Sequence, residues 1–193
     1  MSKVINGVSV TDLMQTMDAV KADPTIAKFR FRLNNEWLEG GHNRSTVNEF
    51  YGAGQQHQRP SSFFLHADEP VVLLGHDMAP NPAEYLLTAL AACVTSSLVY
   101  HAAARGIKIE EVESQLEGDV DVRGFLGLDP SVRNGFQNIR MTLAIQADVT
   151  DEQLEELASL GTGFSPVFDS VTNGVPVTVR TERMKTEKAA DAA

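Results

Sequence analysis

Cysteine is nearly absent from this chain: Cys93 stands alone among 193 residues, so no internal disulfide can form and a fold stapled for secretion is excluded. Basic residues are also scarce. Sixteen Lys and Arg face 26 Asp and Glu, a formal charge of −10, which argues against a nucleic-acid partner because phosphate binding needs clustered cations. No uninterrupted apolar run is read as approaching the ~20 residues of a membrane-spanning helix, so no membrane partner is expected. Met1 to Thr11 lacks the basic start and apolar run of a secretion signal. A cytoplasmic location is expected. The five histidines, His42, His57, His66, His76 and His101, do not fall at ligand spacings, and a zinc site has only one thiol to draw on. Neither a metal nor a cofactor is expected.

What is present is an ordinary globular composition, 42% hydrophobic and 22% charged, enough for one sizeable core. Residues 1–25 read as a helical extension, with Ser9 to Asp12 opening an amphipathic stretch that carries Leu13, Met14, Met17 and Val20 to Asp23-Pro24. Residues 26–181 read as one domain. Phe29, Phe31 and Leu33 alternate as in a half-buried strand. Gly40-Gly41-His42-Asn43 reads as a hairpin turn, and Arg44 to Tyr51 as the returning strand. Gly52 to Ser62, rich in Gly and Gln, reads as a loop, and Val71 to Leu74 as a further strand. Strands are also expected at Val112 to Val122, Ile139 to Val149 and Val175 to Thr181. A helix should open at Thr150-Asp151-Glu152 and a shorter one at Ser165-Pro166. Residues 182–193, charged and Ala-rich, read as a disordered tail. The sum is an α+β domain with antiparallel strands on two long helices.

The clearest element begins at Asn81-Pro82-Ala83-Glu84. Asn can cap the free amides, Pro suits the first turn, and Glu84 can reach back to complete a capping box. The helix then runs through Cys93 to Arg105, where Gly106 stops it. From Tyr85 to Val99 it is apolar on nearly all sides, which calls for burial on most faces, at the centre of a domain or in a dimer interface. Read by itself, a lone Cys among Ala and Leu is a small core hydrophobe.

The run Asn81 to Cys93, its continuation to Arg105-Gly106, and the later Ser165-Pro166-Val167 resemble the OsmC and organic-hydroperoxide-resistance family. The resemblance spans about Ile26 to Thr181. It implies an OsmC-like fold and an intertwined homodimer, with the cysteine helices buried at the subunit interface between sheets from both subunits. It also implies reduction of organic hydroperoxides. In active members one cysteine attacks the peroxide, a second resolves the sulfenic acid as a disulfide, and an Arg and a Glu activate the first thiol.

Carried over residue by residue, the match is uneven. Cys93 occupies the attacking position, while the second-cysteine position is Ser165, which reads equally as a cap ahead of Pro166. The acidic residue that peroxidases carry after the helix-opening proline is Ala83 here, and Glu84 comes one position later. Glu84 and Cys93, nine residues apart, project about 180° from each other, so Glu84 reads as a cap more than as a partner to its own Cys93. Arg44 resembles the thiol-activating arginine, or else is a solvated hairpin residue. Peroxide reduction needs a thiolate, and a free thiol titrates near ~8.5 unless positive charge or a helix N-terminus lowers it. Cys93 lies about three turns into its helix, so a cation such as Arg44 or Arg59 must come from elsewhere. His101, eight residues on, shares the face of Cys93. The expected catalytic set is therefore Cys93, Arg44 and Glu84, with a hydroperoxide as substrate and an external thiol as reductant. The alternative is a non-catalytic relative that binds a small apolar ligand at the dimer interface.

Overall fold

The structure, a computed structural model, describes residues 3–184. A short hairpin, β1 (Val4–Ile5) and β2 (Val8–Ser9), leads into α1 (Val10–Ala22), whose N-cap Ser9 accepts from the Asp12 amide. This extension is tied down by one side chain. Asn6 donates through Nδ2 to the Ile107 carbonyl at 3.0 Å and accepts through Oδ1 from the Ile109 amide at 2.9 Å, as a neighbouring strand would.

The next unit is an antiparallel sheet of β3 (Arg30–Phe31), β4 (Asn34–Glu39), β5 (His42–Gly52) and β6 (Gln55–Ala67). Central β5 pairs with β3 and β4 at different points along its length, and with β6. The hairpin at Gly40-Gly41 forms as expected. The loop expected over Gly52 to Ser62 does not, because Ala53 and Gly54, both at positive φ, make a tight turn and β6 begins at Gln55. Among the described residues β6 pairs only with β5, and exposed positions occur all along it. An edge strand needs no apolar alternation, so Gln55, Gln56 and Gln58 pair through their backbones alone.

The strand expected at Val71 to Leu74 is a 3-10 turn over Val71–Leu73 that ends on Leu74 in the left-handed region. Gly75 presses against the Glu69 backbone so closely that a Cβ could not fit there. The long helix α2 (Pro82–Ala104) follows with its capping box complete: the Glu84 amide donates to Asn81 Oδ1 and the Asn81 amide to Glu84 Oε2, both at 2.8 Å. Tyr85 to Ala104 is twenty residues without Asp, Glu, Lys or Arg, its apolar run interrupted by Thr88, Thr95, Ser96, Ser97 and His101. By length and composition alone α2 could cross a membrane. Here it packs along a second sheet and a second long helix.

That sheet is the antiparallel pair β7 (Ile109–Asp119) and β8 (Asn138–Ala147), a few residues earlier than expected, joined through the short helix α3 (Val122–Phe125). α4 (Asp151–Gly163) lies against α2, and α5 (Pro166–Asn173) closes the end. Leu98, Ala102, Leu157 and Leu160 form the core, with Val112, Leu143 and Ile145 packed on it. Gly161 permits the close approach of the helices, since a Cβ there would sit 3.2 Å from both Val94 and Leu98.

Two expectations about burial and pairing change. The strand expected at Val175 to Thr181 is irregular backbone, with Val175, Val177 and Val179 all exposed. Helix α2 is buried only along Leu90, Val94, Leu98, Ala102 and Ala103. Cys93 is half-buried within the chain rather than enclosed. The four-stranded sheet touches the start of α2, where Tyr85 bonds to His66, and it leaves Phe31, Trp37, Phe63 and Phe64 more than half exposed. The expected tail falls at 182–193, of which residues 185–193 lie outside those described.

Candidate functional site

Cys93 stands at the flank of the buried stripe on α2. Ser97 and His101 follow it at intervals of one turn on the same side. The Ser97 hydroxyl donates to the Phe164 carbonyl at 3.2 Å, and the His101 ring stacks on Phe164 with centroids 4.1 Å apart. This row is therefore directed at the corner between α4 and α5. Burial, and then the neighbouring charge of Arg105, pushes the His101 imidazole below its usual range.

Ser165 occupies that corner. It is 2% exposed, and its Oγ accepts from the Phe168 amide at 3.1 Å, capping α5. The cap expected from Ser-Pro is present. Three residues before Cys93, Leu90 helps to line an apolar cavity of about 270 Å³ with Met141, Leu143, Phe168 and Val171.

The other two expected residues do not join Cys93 within the chain. Glu84 is held in the capping box on the opposite side of α2. Arg44 lies on β5, where its Nε donates to Glu36 Oε1 across β4 at 2.7 Å and its guanidinium sits 5.6 Å from the Phe64 ring centroid. Its charge is already paired.

Several polar groups escaped sequence reasoning. His42 Nε2 and His66 Nδ1 are 2.9 Å apart across β5 and β6, and the Tyr85 hydroxyl donates to the His66 carbonyl at 2.6 Å, joining the sheet to α2. Asp68 is fully buried and accepts from the Glu69, His76 and Met78 amides. Burial raises this carboxyl, but the three donors and the charge of His76 outweigh it and hold the pKa below the ordinary 3.8. The signal was an Asp at a strand end ahead of Glu-Pro, a setting in which side-chain oxygens bind nearby amides. Among the described residues no three His, Cys, Asp or Glu side chains gather as a metal-ligand set.

These features define an α+β domain with one half-buried thiol on a long apolar helix. The family described as OsmC-like protein matches residues 75–180, more than half of the chain. The chain belongs to that family. The fold is also that of solved relatives. An OsmC-like protein from Mycoplasma pneumoniae is 14% identical, with a TM-score of 0.56 over 74% of this chain and 87% of that one. An OsmC-like protein of unknown function from Vibrio cholerae is also 14% identical, with a TM-score of 0.51 over 73% and 92% of the two chains. No curated protein matches the sequence.

Proposed function

We propose that the chain is a thiol-dependent peroxidase that reduces organic hydroperoxides through Cys93, acts as an intertwined homodimer, and is recycled by an external thiol. The observation that carries this reading is the setting of Cys93: a half-buried thiol one turn from an apolar cavity, on the helix that family membership makes central. An apolar lining favours an alkyl or aryl hydroperoxide over hydrogen peroxide.

The chemistry balances with one cysteine. The Cys93 thiolate attacks one peroxide oxygen, the O–O bond breaks as the S–O bond forms, and the alcohol leaves with a proton. An external thiol then condenses with the sulfenic acid, releasing water and leaving a mixed disulfide. A second external thiol attacks that disulfide and restores Cys93. Ser165 has no sulfur, so resolution cannot be internal.

The dimer is supported by what a single chain leaves uncovered. Exposed aromatic residues on the four-stranded sheet, the open side of α2 around Leu86 and Tyr100, and the exposed Val175, Val177 and Val179 are apolar surface that a second copy could cover. Within the chain Arg44 is held by Glu36 on β4, so on this reading its pairing with Cys93 would be made between subunits. The second reading, a non-catalytic binder of a small apolar ligand, is favoured by Ser165 and by the paired state of Arg44.

Turnover of cumene hydroperoxide with a small dithiol as reductant separates the two. The peroxidase reading expects steady consumption by the native protein and none above background by Cys93→Ser. Equal rates from both proteins would exclude it and leave the binding role.

A further inference from the structure

Strand β8 turns Ile139, Met141 and Leu143 to one face, as alternate residues must. Leu143 packs on the core. Beyond it α5 rests on α2 and α4, and the gap it leaves over β8 is the cavity of about 270 Å³, closed by Leu90 of α2 and by Phe168 and Val171 of α5. Voids much larger than a water molecule are few in a packed interior, because their walls forfeit contacts. This one needs a reason.

Its walls admit one kind of occupant. Among the described residues, none that lines it is charged. Its two threonines have already spent their protons: Thr162 Oγ1 donates to the Ser159 carbonyl at 3.2 Å, and Thr172 Oγ1 to the Phe168 carbonyl at 2.8 Å. Water needs several polar partners to settle in such a place. A charged group would lose its hydration with nothing in return. A hydrocarbon group meets neither difficulty. Its size follows from the volume: an apolar cavity of roughly 150 Å³ holds benzene, so 270 Å³ holds about ten carbons. Position ties the cavity to the thiol, since Leu90 lies three residues before Cys93 on α2, and side chains at that spacing are neighbours on a helix surface.

We infer that this cavity holds the hydrocarbon part of the substrate, takes a group of up to about ten carbons, and is bounded in length by Ile139 on its floor and Val171 on its roof. Medium-length alkyl hydroperoxides and cumene hydroperoxide fit within it, and the chain of a long lipid hydroperoxide overruns it. The inference rests on the peroxidase reading only for the peroxide end of the molecule.

The test uses the full-length Cys93→Ser protein, which cannot react, with straight-chain alcohols from 1-butanol to 1-dodecanol as probes. The carbon-13-labelled ε-methyl group of Met141, assigned by its loss in Met141→Leu, reports binding by NMR. Its signal is expected to move, with affinity rising about fourfold for each added methylene up to about ten carbons and flat beyond. Val171→Phe narrows the site and should end the rise about four carbons earlier, whereas Ile139→Ala widens it and should carry the rise on to 1-dodecanol. Circular dichroism confirms the fold of each variant; where Val171→Phe fails to fold, Ile139→Ala decides. A Met141 signal unmoved by every alcohol, a rise without a break, or a break that neither variant moves would overturn the inference. The native protein should show the same break in kcat/KM for 1-alkyl hydroperoxides, and turnover indifferent to chain length would overturn the assignment of the cavity to the substrate. Alcohol binding as described without any peroxide turnover would instead overturn the catalytic reading and leave the site.

Discussion

At Cys93 and Ser165 a single atom separates two chemistries. The row Cys93, Ser97 and His101 points toward the corner that Ser165 caps, and in the proposed reaction serine there leaves the sulfenic acid to an outside thiol. Ser165→Cys is expected to convert that dependence into an internal disulfide. Peroxide treatment should then consume both thiols with no added reductant, as counted by alkylation and mass spectrometry. Persistence of a free thiol at 165 would show that the corner does not face Cys93. Asp68 carries a different kind of prediction. Its folded pKa lies below 3.8, so its contribution to stability is fully present above that value and is lost as pH falls through the lower folded one. Asp68→Asn should therefore melt several degrees lower at neutral pH, and it should lack this share of the acid-dependent decline. Melting curves across pH check both parts. The sequence made Glu84 and Ser165 readable as caps because capping is local. It could not reveal that Glu36 holds Arg44, or that Asp68 gathers three amides from the loop after it, because both depend on chain pairing.

Among the elements, α2 was the most legible, since its start, composition and stop all lie within one contiguous run. Its stability rests on the same features. Asn81→Ala is expected to cost about 1 kcal/mol by removing the cap. Leu98→Ala should cost about 2–5 kcal/mol, because Leu98 is wholly enclosed between α2, α4 and β7. Urea denaturation read by circular dichroism measures both, and a loss at Leu98 no larger than that at Asn81 would contradict the packing described. β6 was illegible for the opposite reason. An edge strand is defined by backbone rungs to its neighbour, and its glutamines carry no periodic signal. Val175 to Thr181 shows the converse error: its valines alternate as a strand requires, yet alternation does not supply a neighbour. The turn over Val71–Leu73 reads as a strand in the sequence because four aliphatic residues in a row outweigh Pro70 before them and Gly75 after.

As a whole molecule, the chain has a well-packed half and an open half. Helices α2 and α4 with β7 and β8 enclose a core, whereas the four-stranded sheet presents aromatic residues to solvent. In the proposed dimer a second copy would cover this sheet. Sedimentation equilibrium is expected to give a dimer at micromolar concentration, and a monomer with the same exposed aromatic residues would contradict the assembly. The central claim concerns Cys93, and the most direct measurement is trapping of its sulfenic acid, followed by mass spectrometry of the purified protein dosed with near-stoichiometric peroxide. The account predicts rapid formation with cumene hydroperoxide and slower formation with hydrogen peroxide. A thiol that stays unmodified for many minutes under both would make Cys93 a packing residue and remove the peroxidase reading.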